Sequence, residues 1–190
     1  MNFSAVILAG GKSSRMGCDK AFLEIGGQSL LARQIELVRD AGADEVFVSG
    51  REEVTYSQFG CVVLRDKFPD AGPLAGIERA LAAASASLLL VLAVDLPAMN
   101  AGLLRQLMTQ CSEAVGVVPT FSGHVEPLAA VYPKAALQTA RNQLERGEFV
   151  AQAFARSCAH AGLVHWVELE ANSAPFFANL NSPADLPCLT

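Results

Sequence analysis

Residues 8–20 read LAGGKSSRMGCDK, with two adjacent glycines, two hydroxyls, and the cations Lys12, Arg15 and Lys20. Gly11-Lys12-Ser13 has the ending of a P-loop, but that pattern needs a glycine five positions earlier, where Val6 stands. A G-x-G-x-x-G reading fails as well, because Gly10 and Gly11 are adjacent and no glycine follows at the required spacing. The chemistry is still that of a phosphate cradle. Glycines let backbone N–H groups close around phosphate oxygens without an intervening Cβ. Arg15 can grip a phosphate through two parallel bonds, while Lys20 acts as a point charge. Two carboxylates complete the set: Asp66 follows the apolar run CVVLR, and Asp95 follows LLLVLAV. Carboxylates beside phosphates repel them unless a divalent cation lies between. Mg²⁺ suits that role, because it takes one or two protein carboxylates together with phosphate oxygens and waters. Asp95 is the candidate metal ligand, and Asp66 either assists or holds the nucleotide's sugar or base.

These groups act together only if the fold brings them together. Taken singly, a Gly-Gly turn is often only a turn and an Asp after a strand often only a helix cap. The apolar runs at 3–9, 45–50, 61–66, 88–94, 114–119 and 163–169 predict strands, and EPLAAVYP (126–133) predicts another. Helices are predicted over 29–41, 72–84, 100–111, 134–146 and 148–159. Leu31, Ile35 and Val38 recur at helical spacing in the first, and Pro73 sits just inside the second. Strand and helix alternating at this spacing mean βαβ units. The expected fold is α/β, with three layers: a mostly parallel central sheet and helices on both faces. In such sheets ligands bind at the carboxyl ends of the strands, which is where the glycine loop, Asp66 and Asp95 fall. No repeat, low-complexity linker or internal boundary interrupts residues 1–190, so one domain is expected.

The chain has 190 residues, 52% hydrophobic, and a net charge of −5. A broad nucleic-acid surface is not expected from an acidic chain. The apolar stretch 80–94 would reach only about 22 Å as a helix, short of a bilayer core of roughly 30 Å. It reads as the end of a helix followed by a buried strand. With no leader pattern, no membrane association is expected. Five scattered cysteines without C-x-x-C argue against a disulfide framework or zinc site and suit the cytoplasm. His124, His160 and His165 form no ligand pair. Trp166 reads as core or rim packing, and Arg141, Arg146 and Arg156 as solvated helix faces.

The stretch LAGGKSSRMGCDKAFLEIGGQSLL resembles the signature of nucleotidyltransferases with a Rossmann-like, glycosyltransferase-A-like fold. Within that group DAGPLAGI (70–77), AVDLP (93–97), EPLAAVY (126–132) and FANLNSP (177–183) resemble the molybdenum cofactor guanylyltransferase family. The resemblance runs nearly end to end. It implies transfer of GMP from Mg-GTP to the terminal phosphate of molybdenum–molybdopterin, with release of pyrophosphate. It implies that Leu8, Ala9 and Gly10, beside Gly11, line the nucleotide. Lys20 would contact its phosphates, Asp66 the nucleotide, and Asp95 both nucleotide and Mg²⁺. Asn179 and Asn181 match positions near the pterin. Cofactor-delivery proteins and acceptor molybdoenzymes are the implied protein partners. One departure stands out: the family often carries an asparagine in the segment here read VFVSGRE, where Ser49 is the candidate substitute.

The alternatives are a cytidylyltransferase acting on the same cofactor, a sugar-phosphate nucleotidyltransferase, and a nucleotide- or cofactor-binding protein without turnover. The cytidylyltransferases usually show Leu-Ala-Ala-Gly where this chain has Gly10. A phosphate-monoester acceptor has its second pKa near 6 and is already an anion at neutral pH. Guanylyl transfer therefore needs no histidine base, and Arg15, Lys20 and Asp95 are the expected catalytic residues.

Overall fold

The structure, a computed structural model, describes residues 2–10, 19–51, 54–68 and 70–180. Strand β1 (Phe3–Leu8) is followed by a 3-10 turn at Lys20–Phe22 and a small hairpin, β2 (Glu24–Ile25) and β3 (Gln28–Ser29). Next come helix α1 (Leu30–Asp40), β4 (Glu45–Ser49), β5 (Val62–Leu64), α2 (Pro73–Ala83), β6 (Leu88–Ala93) and α3 (Ala101–Thr109). The second half holds β7 (Gly116–Phe121), β8 (His124–Val125), β9 (Ala129–Pro133), α4 (Leu137–Glu145), α5 (Ala151–His160) and β10 (Val164–Glu168). A last 3-10 stretch covers Ala171–Phe177.

One eight-stranded sheet organises the described residues, in the order β10-β7-β9-β6-β1-β4-β5, with β8 paired to β7. Strands β5, β4, β1 and β6 are parallel to one another, as is β10 to β7; β9 runs antiparallel to both β6 and β7. The expected mostly parallel sheet is therefore present. Every residue of β6 is buried, because the strand has helices over both faces. Alternate residues accordingly enter different cores. Phe3, Ala5, Ile7, Leu88, Leu90 and Leu92 pack on the side of α1 and α3. Val6, Leu89 and Val91 pack on the side of α2, α4 and α5. The run 80–94 resolves into the end of α2 and the start of β6, and among the described residues no helix is long and apolar enough to cross a membrane.

Local chemistry sets the helix ends. The Ser29 hydroxyl accepts from the Ala32 N–H at the start of α1, and Asn100 accepts from the Leu103 N–H at the start of α3. Helix α2 begins with Pro73 at its first turn, where a missing N–H costs nothing. The β2–β3 hairpin was not expected. Its turn is Gly26-Gly27, both at positive φ, the geometry that two-residue hairpin turns demand.

One side chain fits the expected rim position and another departs from expectation. Trp166 is 40% exposed on β10, at the edge of the sheet. Arg141 is not simply solvated: its Nε donates to Glu78 Oε1 at 2.8 Å and so ties α4 to α2. Glu78 is almost wholly buried while Arg141 is 40% exposed. Removing the arginine would leave a buried carboxylate unpaired. A fully enclosed pair would lose about 3–5 kcal/mol, and the open arginine side reduces the expected loss to about 2 kcal/mol. Arg141→Ala should thus lower the urea midpoint by that equivalent at unchanged slope. Arg146→Ala, on an exposed residue, should stay within about 0.5 kcal/mol of the wild type.

Candidate active site

The chain leaves β1, adds β4 and then β5 on one side, and returns to add β6 on the other. The strand order therefore reverses at β1, and the carboxyl ends of β1 and β6 flank the crevice where open α/β sheets bind ligands. A cavity of about 470 Å³ lies there, large enough for a nucleotide-sized molecule. Backbone hydrogen bonds hold its floor together: Ala9 N–H to Ser49 C=O at 2.8 Å, Val94 N–H to Leu8 C=O at 3.2 Å, and Ala93 N–H to Leu128 C=O at 2.8 Å. The last bond shows how the antiparallel β9 reaches the site, since the residue just before it meets the end of β6.

Of the residues expected to bind nucleotide or metal, Leu8, Ala9, Gly10, Lys20, Asp66 and Asp95 all line this cavity. Gly11, Arg15 and Asn181 lie outside the described residues. Asn179 is exposed and is not part of the cavity lining, but the next residue is tethered to it: the Leu180 N–H donates to the Asp95 carbonyl at 2.9 Å. The segment expected to meet the acceptor thus runs beside Asp95.

Lys20 and Asp95 face each other across the cavity. Lys20 Nζ donates to Asp95 Oδ2 at 2.9 Å, with each side chain about a fifth to a quarter exposed. Asp66 stands on the loop after β5 and accepts a long bond, 3.4 Å, from the Ser49 hydroxyl. Partial burial raises its carboxyl above the ordinary value. The Ser49 bond and Arg79 pull it down, while Glu78 pushes it up. Ser49, at the end of β4, lines the cavity.

Several lining residues were not expected. Asp70 adds a third carboxylate and adopts a left-handed backbone at φ +59°, a conformation aspartate tolerates better than most residues. Gly72 and Pro73 bring the start of α2 to the cavity wall, where helix N–H groups and the helix dipole favour an anion. Both belong to DAGPLAGI, so the signal was in the sequence without a role attached. Close packing of α2 depends on Gly76, where a Cβ would come within 2.3 Å of Ser49 Oγ and 2.9 Å of a Leu8 methyl. Gly10 is different, since among the described residues a Cβ there would come no closer than 3.9 Å to a neighbour. The space that Gly10 leaves open therefore belongs to the cavity rather than to the core.

Comparison with known proteins shows the family and the fold. The sequence pattern of the MobA-like NTP transferase domain matches residues 5–166. A protein of Opitutus terrae named "Probable molybdenum cofactor guanylyltransferase" is 40% identical over 185 residues, 96% of this chain and 92% of that protein. Among solved structures, 2-C-methyl-D-erythritol 4-phosphate cytidylyltransferase from Thermus thermophilus superposes with a TM-score of 0.74 at 26% identity, over 100% of this chain and 97% of that one. Molybdopterin-guanine dinucleotide biosynthesis protein A from Archaeoglobus fulgidus gives 0.76 at 22% identity, covering 100% and 96%, and shares the fold. With the family pattern over most of its length and a relative this similar end to end, the chain belongs to the MobA-like NTP transferase family of nucleotidyltransferases.

Proposed function

We propose that this nucleotidyltransferase moves GMP from Mg-GTP onto the terminal phosphate of molybdenum–molybdopterin and releases pyrophosphate. The observation that carries the proposal is the convergence of the Leu8-Ala9-Gly10 backbone, Lys20 and Asp95 on one cavity at the strand-order reversal. The name of the Opitutus terrae relative points to the same transfer.

The charge in the cavity favours a metal–nucleotide pair over a bare anion. Among the described lining residues, Asp66 and Asp95 place two carboxylates beside the Lys20 ammonium. A triphosphate approaching those carboxylates is repelled by them unless a divalent cation lies between. Among the described residues no three acidic, histidine or cysteine side chains close up into a metal cage. That suits Mg²⁺, which takes one or two protein carboxylates and completes its shell with phosphate oxygens and water. Asp95 would hold it, and when bound the ion would neutralise charge on the phosphates.

In the reaction an acceptor phosphate oxygen forms a bond to the α-phosphorus of GTP. The bond from that phosphorus to the bridging oxygen breaks, and its electron pair leaves with pyrophosphate. The acceptor is already ionised, so no side chain has to remove a proton. The work left to the protein is to hold two anions in line and stabilise charge on the leaving group. Lys20 would do so from one wall and Arg15 from the loop before it. The start of α2 adds its dipole, Asp66 and Ser49 would accept from sugar or base, and Asn179 and Asn181 would meet the pterin.

Calorimetric titration with Mg²⁺ and each of GTP, CTP, ATP and UTP tests the reading. GTP should bind at least about tenfold more tightly than the others, a difference of about 1.4 kcal/mol. A preference for CTP would replace guanylyl with cytidylyl transfer. Absence of binding by any triphosphate would overturn the assignment of the cavity.

A further inference from the structure

Tyr56 is buried to 2% exposure between two segments that deliver residues to the cavity, yet it does not line the cavity itself. Its hydroxyl donates to Asp19 Oδ2 at 3.2 Å and accepts from the Arg51 N–H at 3.3 Å. The other oxygen of Asp19 accepts from the Ala21 N–H at 3.0 Å and caps the 3-10 turn that starts at Lys20. The Tyr56 ring lies nearly parallel to that of Phe22, at the end of the same turn, with centroids 5.9 Å apart. The ring also presses on Gly50, where a Cβ would come within 2.2 Å of it. Glycine at 50 thus lets the aromatic ring lie directly against the backbone that follows Ser49.

The contacts form a continuous path. The backbone after β4 holds the Tyr56 hydroxyl, the hydroxyl holds Asp19, Asp19 caps the turn, and the turn aims Lys20 at Asp95. Lysine has four rotatable bonds and loses considerable freedom when its ammonium is held in one place. A rigid base for the turn reduces how much of that freedom must be lost when the phosphates arrive.

We infer that Tyr56 is a positioning residue for the nucleotidyl transfer: through Asp19 it fixes the turn that directs the Lys20 ammonium into the nucleotide cavity. The inference rests on the proposed role of Lys20 in binding phosphate. Burial pushes the Tyr56 hydroxyl up to about 12, with Asp19 adding to the rise and the Arg51 N–H opposing it. The hydroxyl therefore stays protonated, and a donor to Asp19, across the working range of pH.

Tyr56→Phe removes the hydroxyl and keeps the ring. Two readouts test it on the full-length protein, with thermal unfolding as the check on folding. The first needs no substrate: the rate at which acetic anhydride acylates Lys20 in the nucleotide-free protein, followed by peptide mass spectrometry. Loss of the hydroxyl-to-carboxylate hydrogen bond should speed acylation of Lys20 by about tenfold or more, while exposed Lys67 keeps its rate. The second is a double-mutant cycle on guanylyl transfer. Tyr56→Phe should lower kcat about tenfold in the wild-type background. In the Lys20→Ala background it should add nothing, because a positioning residue has no effect once its client is gone. Equal losses in both backgrounds, or an unchanged acylation rate, would overturn the inference. If Lys20→Ala itself leaves transfer and GTP binding intact, the reading of the site fails, and the acylation rate still decides whether Tyr56 positions the turn.

Discussion

Asp95→Ala is expected to reduce guanylyl transfer by at least about a thousandfold while leaving the fold intact. The carboxylate has two proposed tasks, holding the metal and keeping the Lys20 ammonium in place at 2.9 Å, and both end with it. The structural task of this residue belongs to its backbone, whose carbonyl accepts from the Leu180 N–H, and alanine retains that. The variant should therefore melt close to the wild type. Binding and turnover should separate in an informative way. Without Mg²⁺, GTP should bind the variant no more weakly than the wild type, because a carboxylate beside the phosphates is gone. With Mg²⁺ the wild type should gain affinity and the variant should not. Pyrophosphate release at saturating Mg-GTP and acceptor, beside calorimetry with and without the metal, measures each part. A kcat/KM within tenfold of the wild type would remove Asp95 from the chemistry.

Asp95 was legible in the sequence because of a rule about folds. Seven consecutive apolar residues, LLLVLAV, describe a strand covered on both faces, and a carboxylate just beyond such a strand falls at the ligand-binding edge of the sheet. Asp66 follows the same rule after β5. The direction of β9 was harder to read, because AAVYP looks the same in either orientation. Yet only residues 122–128 separate β7 from β9, which pair antiparallel, too few for the crossover of a dozen or more residues that a parallel pair needs. That short link predicts an antiparallel β9 and so places Leu128 at the cavity. The Gly26-Gly27 turn was likewise present as a hairpin signal between short, partly apolar flanks.

Tyr56 left no such mark. It sits in REEVTYSQFG, a stretch without periodicity, and its hydroxyl bridges to a carboxylate 37 residues away in the chain. Contacts of that kind arise from how loops meet at one sheet edge, and neither spacing nor composition reports them. Arg141 was misread for a related reason. Helical spacing gives the face on which a residue lies, but not which neighbouring element offers a buried partner, here Glu78 on α2.

Lys20→Ala is the second large effect expected, a loss of about a hundredfold to a thousandfold in kcat/KM for transfer. The ammonium is the only cation among the described residues lining the cavity, so the growing charge on the departing pyrophosphate would lose a protein counter-charge. The loss should fall more on kcat than on KM if the contact strengthens as the bond to pyrophosphate breaks. Lys20→Arg should recover only part of it. A planar guanidinium is larger, offers its donors in a fixed fork, and starts from a turn whose geometry Asp19 and Tyr56 have set for a lysine. The substitution also exposes a competition between Lys20 and the metal. In the nucleotide-free protein the ammonium already holds Asp95 Oδ2, so a metal ion arriving alone must share or displace it. Removing the ammonium should therefore raise the affinity for Mg²⁺ alone while lowering that for Mg-GTP. The opposite signs, read by calorimetry on one variant, distinguish a lysine that contacts phosphate and competes with metal from one that merely supports the loop, for which both affinities would fall together.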